Sequence, residues 1–297
     1  ALQRIGAAEP HVLTREPVLM LEPTSGSTAA TKQIPYTASL KTEFQRAIAP
    51  WLVDTYRHYP QLLRGRAYWS ITPVAQRKQT TPGGIPIGFE ADSDYFGLLQ
   101  RHLIHSIMAI PHLVRWIDDM PTFRYVTLLF LLRSRTLALI SVWNPTFLLL
   151  LLDPLAEWWP QLADDIAQGR LSPPGPLSPD LRAPLLSVNR PNPRRAAEIR
   201  AAFGADDTLP SIYARLWPEL RLISCWTEAH AALYVPQLAR LFPQARVQGK
   251  GLLATEGVVS LPLAGYSGHA LALRSHFFEF IPVLNEAPGE VPPGPPR

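Results

Sequence analysis

Apolar positions along this chain change period from segment to segment, and the changes outline alternating helices and strands. Between Thr37 and Tyr59, residues Leu40, Phe44, Ile48, Leu52 and Tyr56 recur at four-residue steps, which predicts an amphipathic helix. Tyr95–Ile110 has similar spacing and stops at Pro111, and Thr122–Leu132 reads as a third helix. Leu137–Trp143 is instead a continuous apolar run, the mark of a strand covered on both faces. Pro145 then opens a helix predicted to reach Gly169. Helices are also expected at Arg194–Phe203 and Ala229–Phe242, and strands at Val18–Leu21, Arg66–Ile71, Leu220–Cys225, Ala245–Gln248, Val258–Leu263 and His269–Ile281. Helix, buried strand and helix in repeated order predict an α/β fold with a parallel sheet. The connecting text is small or proline-rich: a hydroxyl-rich loop at Thr24–Lys32, a flexible Thr80–Gly84, and an irregular crossing at Ser172–Pro193.

Composition narrows the class. The chain has 297 residues, 47% hydrophobic and 18% charged, so it can bury a large core. Its 32 prolines, roughly twice the usual ~5% share, exclude a long helical bundle or coiled coil. The net charge of +4 comes from scattered arginines; Arg194-Arg195 and Arg64 with Arg66 are isolated pairs on an expected solvated surface, so no nucleic-acid partner is expected. Cys225 is the single cysteine, which rules out an intrachain disulfide and a CxxC site and fits a reducing, cytoplasmic setting. The apolar stretch Tyr125–Leu152 is broken by Arg133, Arg135, Asn144 and Pro145, so it reads as core and no membrane association is expected.

Two segments carry the parts of a phosphate site. In Thr24-Ser25-Gly26-Ser27-Thr28-Ala29-Ala30-Thr31-Lys32, small residues let backbone N–H groups turn toward an anion, hydroxyls add donors and Lys32 adds charge. It is not a GxxxxGK[ST] loop, and alone it reads more readily as an ordinary flexible Ser/Thr loop. In Gly249–Gly257, Thr255 and Glu256 set a hydroxyl beside a carboxylate at the expected end of a buried strand, suited to a phosphate oxygen and Mg²⁺; an exposed turn is the plain alternative.

Together the two resemble the adenylate-forming (ANL) superfamily, with its [ST]-S-G-[ST]-T-G-x-P-K loop and its later G or A, then x-T-E motif. Within it the chain is most similar to the auxin-responsive acyl-acid amido synthetases, the Gretchen Hagen family, in its bacterial form. The blocks IPYTASLKTEFQ, SVWNPTFLLLLLDPLAEWWPQLADDIAQGRL, LWPELRLISCWTEAHAALYVPQL, GKGLLATEG and HFFEFIP carry the resemblance in family order from about Pro17 to Pro282. It implies an ANL-type large N-terminal domain, mixed and parallel sheets flanked by helices, incomplete at both ends. It also implies an ATP- and Mg²⁺-dependent ligase that adenylates a small carboxylic acid and joins it to an amine or amino acid as an amide. By the same resemblance Ser25, Gly26, Ser27, Thr28 and Lys32 hold the leaving pyrophosphate, with Thr24 opening the loop. Thr255 meets the α-phosphate, Glu256 holds the metal, and Thr227 and Phe278 lie near the adenine and acyl pocket.

Ala29 and Thr31 replace a glycine and a proline of the superfamily loop. The family's tyrosine–arginine–glycine–aspartate segment and its small C-terminal domain with a mobile lysine have no counterpart, so residues 1–284 read as part of the large domain and 285–297 as a linker or tail, inactive alone. A non-catalytic binding protein of the same fold, with the proline-rich end as a partner's ligand, is the alternative. Weaker candidates are His102 with His105, without a third metal ligand, and the adjacent pairs Asp118-Asp119 and Asp164-Asp165, expected at the surface; Trp158-Trp159 reads as core.

Overall fold

The computed structural model describes residues 1–24, 32–70, 79–88, 107–205 and 207–281. Its helices are α1 (Leu2–Gly6), α2 (Ala38–His58), α3 (Met120–Arg133), α4 (Pro145–Leu152), α5 (Leu155–Gln168), α6 (Pro179–Val188), α7 (Pro193–Gly204), α8 (Leu209–Leu216) and α9 (Val235–Leu241). The strands are β1 (Met20–Pro23), β2 (Gln33–Tyr36), β3 (Arg66–Trp69), β4 (Gln79–Thr80), β5 (Pro86–Ile87), β6 (Leu137–Ser141), β7 (Leu222–Ser224) and β8 (Arg246–Gln248). Four further short strands follow: β9 (Leu253–Ala254), β10 (Gly257–Val258), β11 (Ser260–Pro262) and β12 (His269–Leu271).

The expected parallel sheet is present in the order β3-β6-β7-β8, each pair parallel. Every residue of β6 is buried, as its unbroken apolar run requires. Leu137 and Ile140 join a large helical core with Leu129, Leu162, Ile199 and Trp217. Ala138 and Leu139 join a smaller one with Leu62, Ala67 and Leu222. A second unit packs α2 against the mixed sheet β2-β1-β5-β4 and against the hairpins β9/β10 and β11/β12, around Met20, Tyr36, Phe44, Trp51, Val258 and Leu261. Helix α2 starts where Thr37 accepts the Leu40 N–H at 3.2 Å, and α3 where Asp119 accepts the Thr122 N–H at 2.9 Å.

Several expectations change. The helix predicted from Pro145 to Gly169 breaks after Leu152, because Pro154 has no N–H for a continuing ladder and its ring crowds the preceding turn. The supposedly irregular Ser172–Pro193 contains α6, with Pro179 in its first turn, where no donor is needed. Helix α8 has no counterpart among the expected elements. The flexible Thr80–Gly84 is the end of β4 and a turn closed by the Thr81 N–H to Ile85 C=O bond at 2.9 Å. Ala229–Phe242 divides into a 3₁₀ turn at Ala229–Tyr234 and α9. The strand expected over His269–Ile281 ends at Leu271, because Ser275 donates from its N–H and its hydroxyl to the Ala272 carbonyl at 3.0 and 2.6 Å and turns the chain. Most of the helix predicted over Tyr95–Ile110 lies outside the described residues.

Two groups expected at the surface are buried instead. Asp165 accepts from the Tyr125 hydroxyl at 2.9 Å and from the Ser172 N–H and hydroxyl at 2.7 and 2.9 Å, while its neighbour Asp164 pairs with Arg200 outside. Arg195, 3% exposed, donates to the carbonyls of Leu132 and Leu216, both at 2.6 Å, and to Glu198 at 2.9 Å, locking the ends of α3 and α8 to α7. Trp158 and Trp159 pack as expected, against Tyr125 and Phe203. No helix among the described residues is long and apolar enough to cross a membrane.

Candidate functional site

The C-terminal ends of the parallel strands point toward the second unit, the edge where open α/β sheets bind ligands. Ser141, Ser224 and Gln248 end β6, β7 and β8 in register. Directly after β8 comes Gly249-Lys250-Gly251, and then the β9/β10 hairpin, whose two linking residues are Thr255 and Glu256. The hydroxyl and carboxylate therefore sit at a hairpin tip beyond the sheet, which corrects their expected place at a strand end. The carboxylate-bearing Glu256 is exposed and Thr255 half-buried.

The other motif is also carried on a hairpin. Antiparallel β1 and β2 close at Pro23 opposite Gln33, and the Thr24 N–H donates to the Lys32 carbonyl at 2.8 Å across the neck of the loop. Thr24 and Lys32 thus stand side by side with Lys32 exposed, whereas Ser25, Gly26, Ser27 and Thr28 lie outside the described residues. Tyr36, at the end of β2 and fully buried, donates its hydroxyl to the Thr255 carbonyl. One hydrogen bond spanning 219 positions of sequence thereby ties the hairpin of the first motif to that of the second. Next to it, a Cβ on Gly257 would come within 2.9 Å of the His276 Nε2, so a larger residue there would have to displace that ring. His276 in turn donates to Glu43 at 2.9 Å and stands edge-on to Phe44, with ring centroids 5.5 Å apart. Phe278 is half-buried beside it at 6.3 Å, in irregular chain and not in the expected strand, so it approaches the Glu256 hairpin through His276.

Thr227 lies elsewhere on the same edge. Its hydroxyl donates to Glu228 at 2.6 Å, and the two help to line a cavity of about 290 Å³ with Gln248, Gly249, Tyr266 and His269. A Cβ on Gly249 would meet the Thr227 Oγ1 at 2.6 Å and the His269 Nε2 at 2.8 Å, so a larger residue here would displace the polar lining of the cavity. Among described contacts none joins this cavity to Glu256.

Lys250 lies inside the second motif and has no expected role from the sequence. The ammonium donates to the Ser141 and Ser224 hydroxyls at 2.8 and 3.2 Å and lies within 5.8 Å of the ring centroids of Trp51, Trp69 and Trp143. Hydroxyls accept its hydrogens and indole faces its charge, so it pins three strand ends together. A lysine between two glycines straight after a buried strand is the signal that sequence offers for it. Tyr36 has no such local signal, because its partner is remote in sequence.

Cys225, the neighbour of Ser224, is buried, and loss of water pushes its thiol up to about 11, although Lys250 pulls the other way. At pH 8 only about one thiol in a thousand is thiolate. An aromatic disulfide reagent is accordingly expected to leave the native protein unmodified at that pH and to react once the protein is unfolded in urea. Rapid modification of the native form would contradict this assignment.

The model of the "GH3 family N-terminal domain" matches residues 1–247, most of the chain and all of the parallel sheet but its last residue. This chain belongs to the GH3 family. A probable indole-3-acetic acid-amido synthetase of Oryza sativa subsp. japonica, named GH3.6, is 29% identical over 143 residues, which is 46% of this chain and 29% of that protein. Two solved structures share the fold. The GH3.15 acyl acid amido synthetase has a TM-score of 0.66 at 20% identity, and the AtGH3.15 acyl acid amido synthetase in complex with 2,4-DB one of 0.70 at 21%. Each match covers 88% of this GH3 chain and 45% of the solved one, so the chain spans less than half the length of these relatives.

Proposed function

We propose that this GH3 chain forms the nucleotide- and acid-binding part of an ATP-dependent ligase that adenylates a carboxylic acid and passes the acyl group to an amine or amino acid. The observation that carries the reading is the Tyr36–Thr255 bond, which holds the two motif-bearing hairpins against each other. Names of the relatives support the reaction class: they are acyl acid or indole-3-acetic acid amido synthetases, one of them holding the small acid 2,4-DB.

In this reading the backbone and hydroxyls of Ser25, Gly26, Ser27 and Thr28, with the Lys32 ammonium, receive the pyrophosphate end of ATP as its negative charge grows. Thr255 donates to the α-phosphate. Thr227 and Phe278 form parts of the walls that hold adenine and the acid. The acid's carboxylate oxygen attacks the α-phosphorus, the bond to pyrophosphate breaks, and acyl-AMP results. The amine nitrogen then attacks the acyl carbon, AMP leaves with the electron pair of the broken C–O bond, and the nitrogen loses a proton.

Glu256 fits an Mg²⁺ ligand, being an exposed carboxylate beside a hydroxyl at a turn. Mg²⁺ commonly takes one or two carboxylates and completes its shell with water and phosphate oxygens. A protein cage is therefore not needed, and among the described residues no group of three His, Cys, Asp or Glu side chains forms one. When bound, the ion supplies neutralising charge to the phosphate oxygens.

ATP–pyrophosphate exchange by the full-length protein, measured against a panel of aromatic and aliphatic acids, tests the proposal. Label is expected to enter ATP only when a suitable acid is present. A folded protein that gives no acid-dependent exchange would refute adenylation and leave a non-catalytic binding protein as the reading. The acid that supports exchange would also name the substrate class.

A further inference from the structure

A second cavity lies at the opposite end of the parallel sheet. It measures about 650 Å³, within the range of roughly 300–1,000 Å³ usual for small-molecule sites. Arg66 at the start of β3 and Thr136 just before β6 stand at its rim, and Ser141 is about 16 Å beyond Thr136 by strand rise. The cleft is therefore separate from the edge that carries Lys250 and Thr227.

Its chemistry is lopsided. Arg66, His112, Arg133 and Arg135 contribute to the lining, and no carboxylate is among the described residues that do. Arg135 is paired with Glu198 at 3.1 Å. Arg133 is different: among the described residues its guanidinium donates to neutral oxygens, the Asn189 side-chain carbonyl at 2.8 Å and the Arg190 backbone carbonyl at 2.7 Å. Half-buried and without a carboxylate beside it, the group is held below its ordinary value by loss of water alone. A half-buried cation with neutral partners, in a wall to which no described residue brings a carboxylate, is the group that an incoming oxyanion would satisfy. The rest of the wall is apolar, with Ile110 and Phe130 as a buried floor and Val188 half-exposed at one side.

We propose that this cleft binds a small carboxylate with an apolar tail, its head on Arg133 and its tail over Phe130 and Val188. A guanidinium fork matches a planar carboxylate, and the apolar floor favours a ligand with a hydrocarbon body over a bare inorganic anion. Occupancy here does not depend on the adenylation reading, because no residue is shared with that site.

The test is a titration of the full-length protein with hexanoate, followed through the imidazole resonance of His112, with His269 at the other cavity as an internal control. His112 is expected to shift saturably. Val188→Glu adds a like charge at an exposed position without touching the Arg133 hydrogen bonds, and Arg133→Gln removes the head-group partner; each is expected to weaken the His112 response at least about tenfold. Hexanamide, equal in shape and uncharged, and inorganic phosphate, charged and without a tail, are each expected to bind at least about tenfold more weakly. Should Arg133→Gln unfold, Val188→Glu decides alone. An unmoved His112, equal hexanoate affinity in Val188→Glu, or equal binding of hexanamide or phosphate would overturn the proposal. A response at His269 with His112 unmoved would overturn it too, and would place acid binding at the other edge of the sheet.

Discussion

Replacing Glu256 by glutamine is expected to lower acid-dependent ATP–pyrophosphate exchange by at least about 100-fold, with the unfolding midpoint unchanged. The side chain sits at the tip of a two-residue hairpin link, exposed and outside all three apolar cores, so the amide leaves packing intact while it removes the formal charge a magnesium ion needs. Shape is conserved and charge is not, which separates the two explanations of a loss. Measuring exchange across a range of magnesium concentrations sharpens the result: a weakened metal ligand raises the concentration needed for half-maximal rate. A variant with wild-type exchange and wild-type magnesium dependence would show that Glu256 does not hold the ion.

The second large effect falls on stability. Arg195→Met is expected to lower the free energy of unfolding in urea by about 3 kcal/mol, because methionine refills most of the volume but leaves the buried Leu132 and Leu216 carbonyls without their donor. The loss also has a pH signature. Arg195 is the first cause of the lowered value of Glu198, with Arg135 adding to it. A carboxylate depressed in the folded state contributes stability that is present above its unfolded value and is lost as pH falls through the folded one. The gap between wild type and variant should therefore narrow in acid, below about pH 4.5. A pH-independent gap would mean that the backbone carbonyls account for all of it.

What could be read from the sequence depended on how local the signal was. Helix α2 and strand β6 were legible because each announces itself within its own residues, one by four-residue apolar spacing and the other by an unbroken apolar run. The break at Pro154 was legible in principle, since a proline behind Asp153 interrupts the ladder wherever it stands, yet the apolar text on both sides masked it. Arg195 could not be read at all. An arginine looks the same in sequence whether water or three hydrogen bonds surround it, and its partners lie 63 and 21 positions away as well as one turn ahead. The candidate site divides in the same way. Thr24–Lys32 and Thr255-Glu256 were visible as motifs, but a motif carries no information about what it faces. Their joining through Tyr36, and the placement of Thr255-Glu256 on a hairpin and not at a strand end, required the fold.

Three of the chain's eight tryptophans surround Lys250, and Trp226 packs beyond Trp143 with centroids 5.7 Å apart. Indole emission is sensitive to nearby charge, so half of the protein's tryptophan fluorophores sit where the parallel strands end. Ultraviolet fluorescence consequently gives a label-free view of events at that edge: an anion arriving near the ammonium, or a displacement of the Gly249–Gly251 backbone, alters the electric field across several rings at once. Titrations with nucleotide or acid can thus be followed in the unmodified protein, with no dye and no turnover.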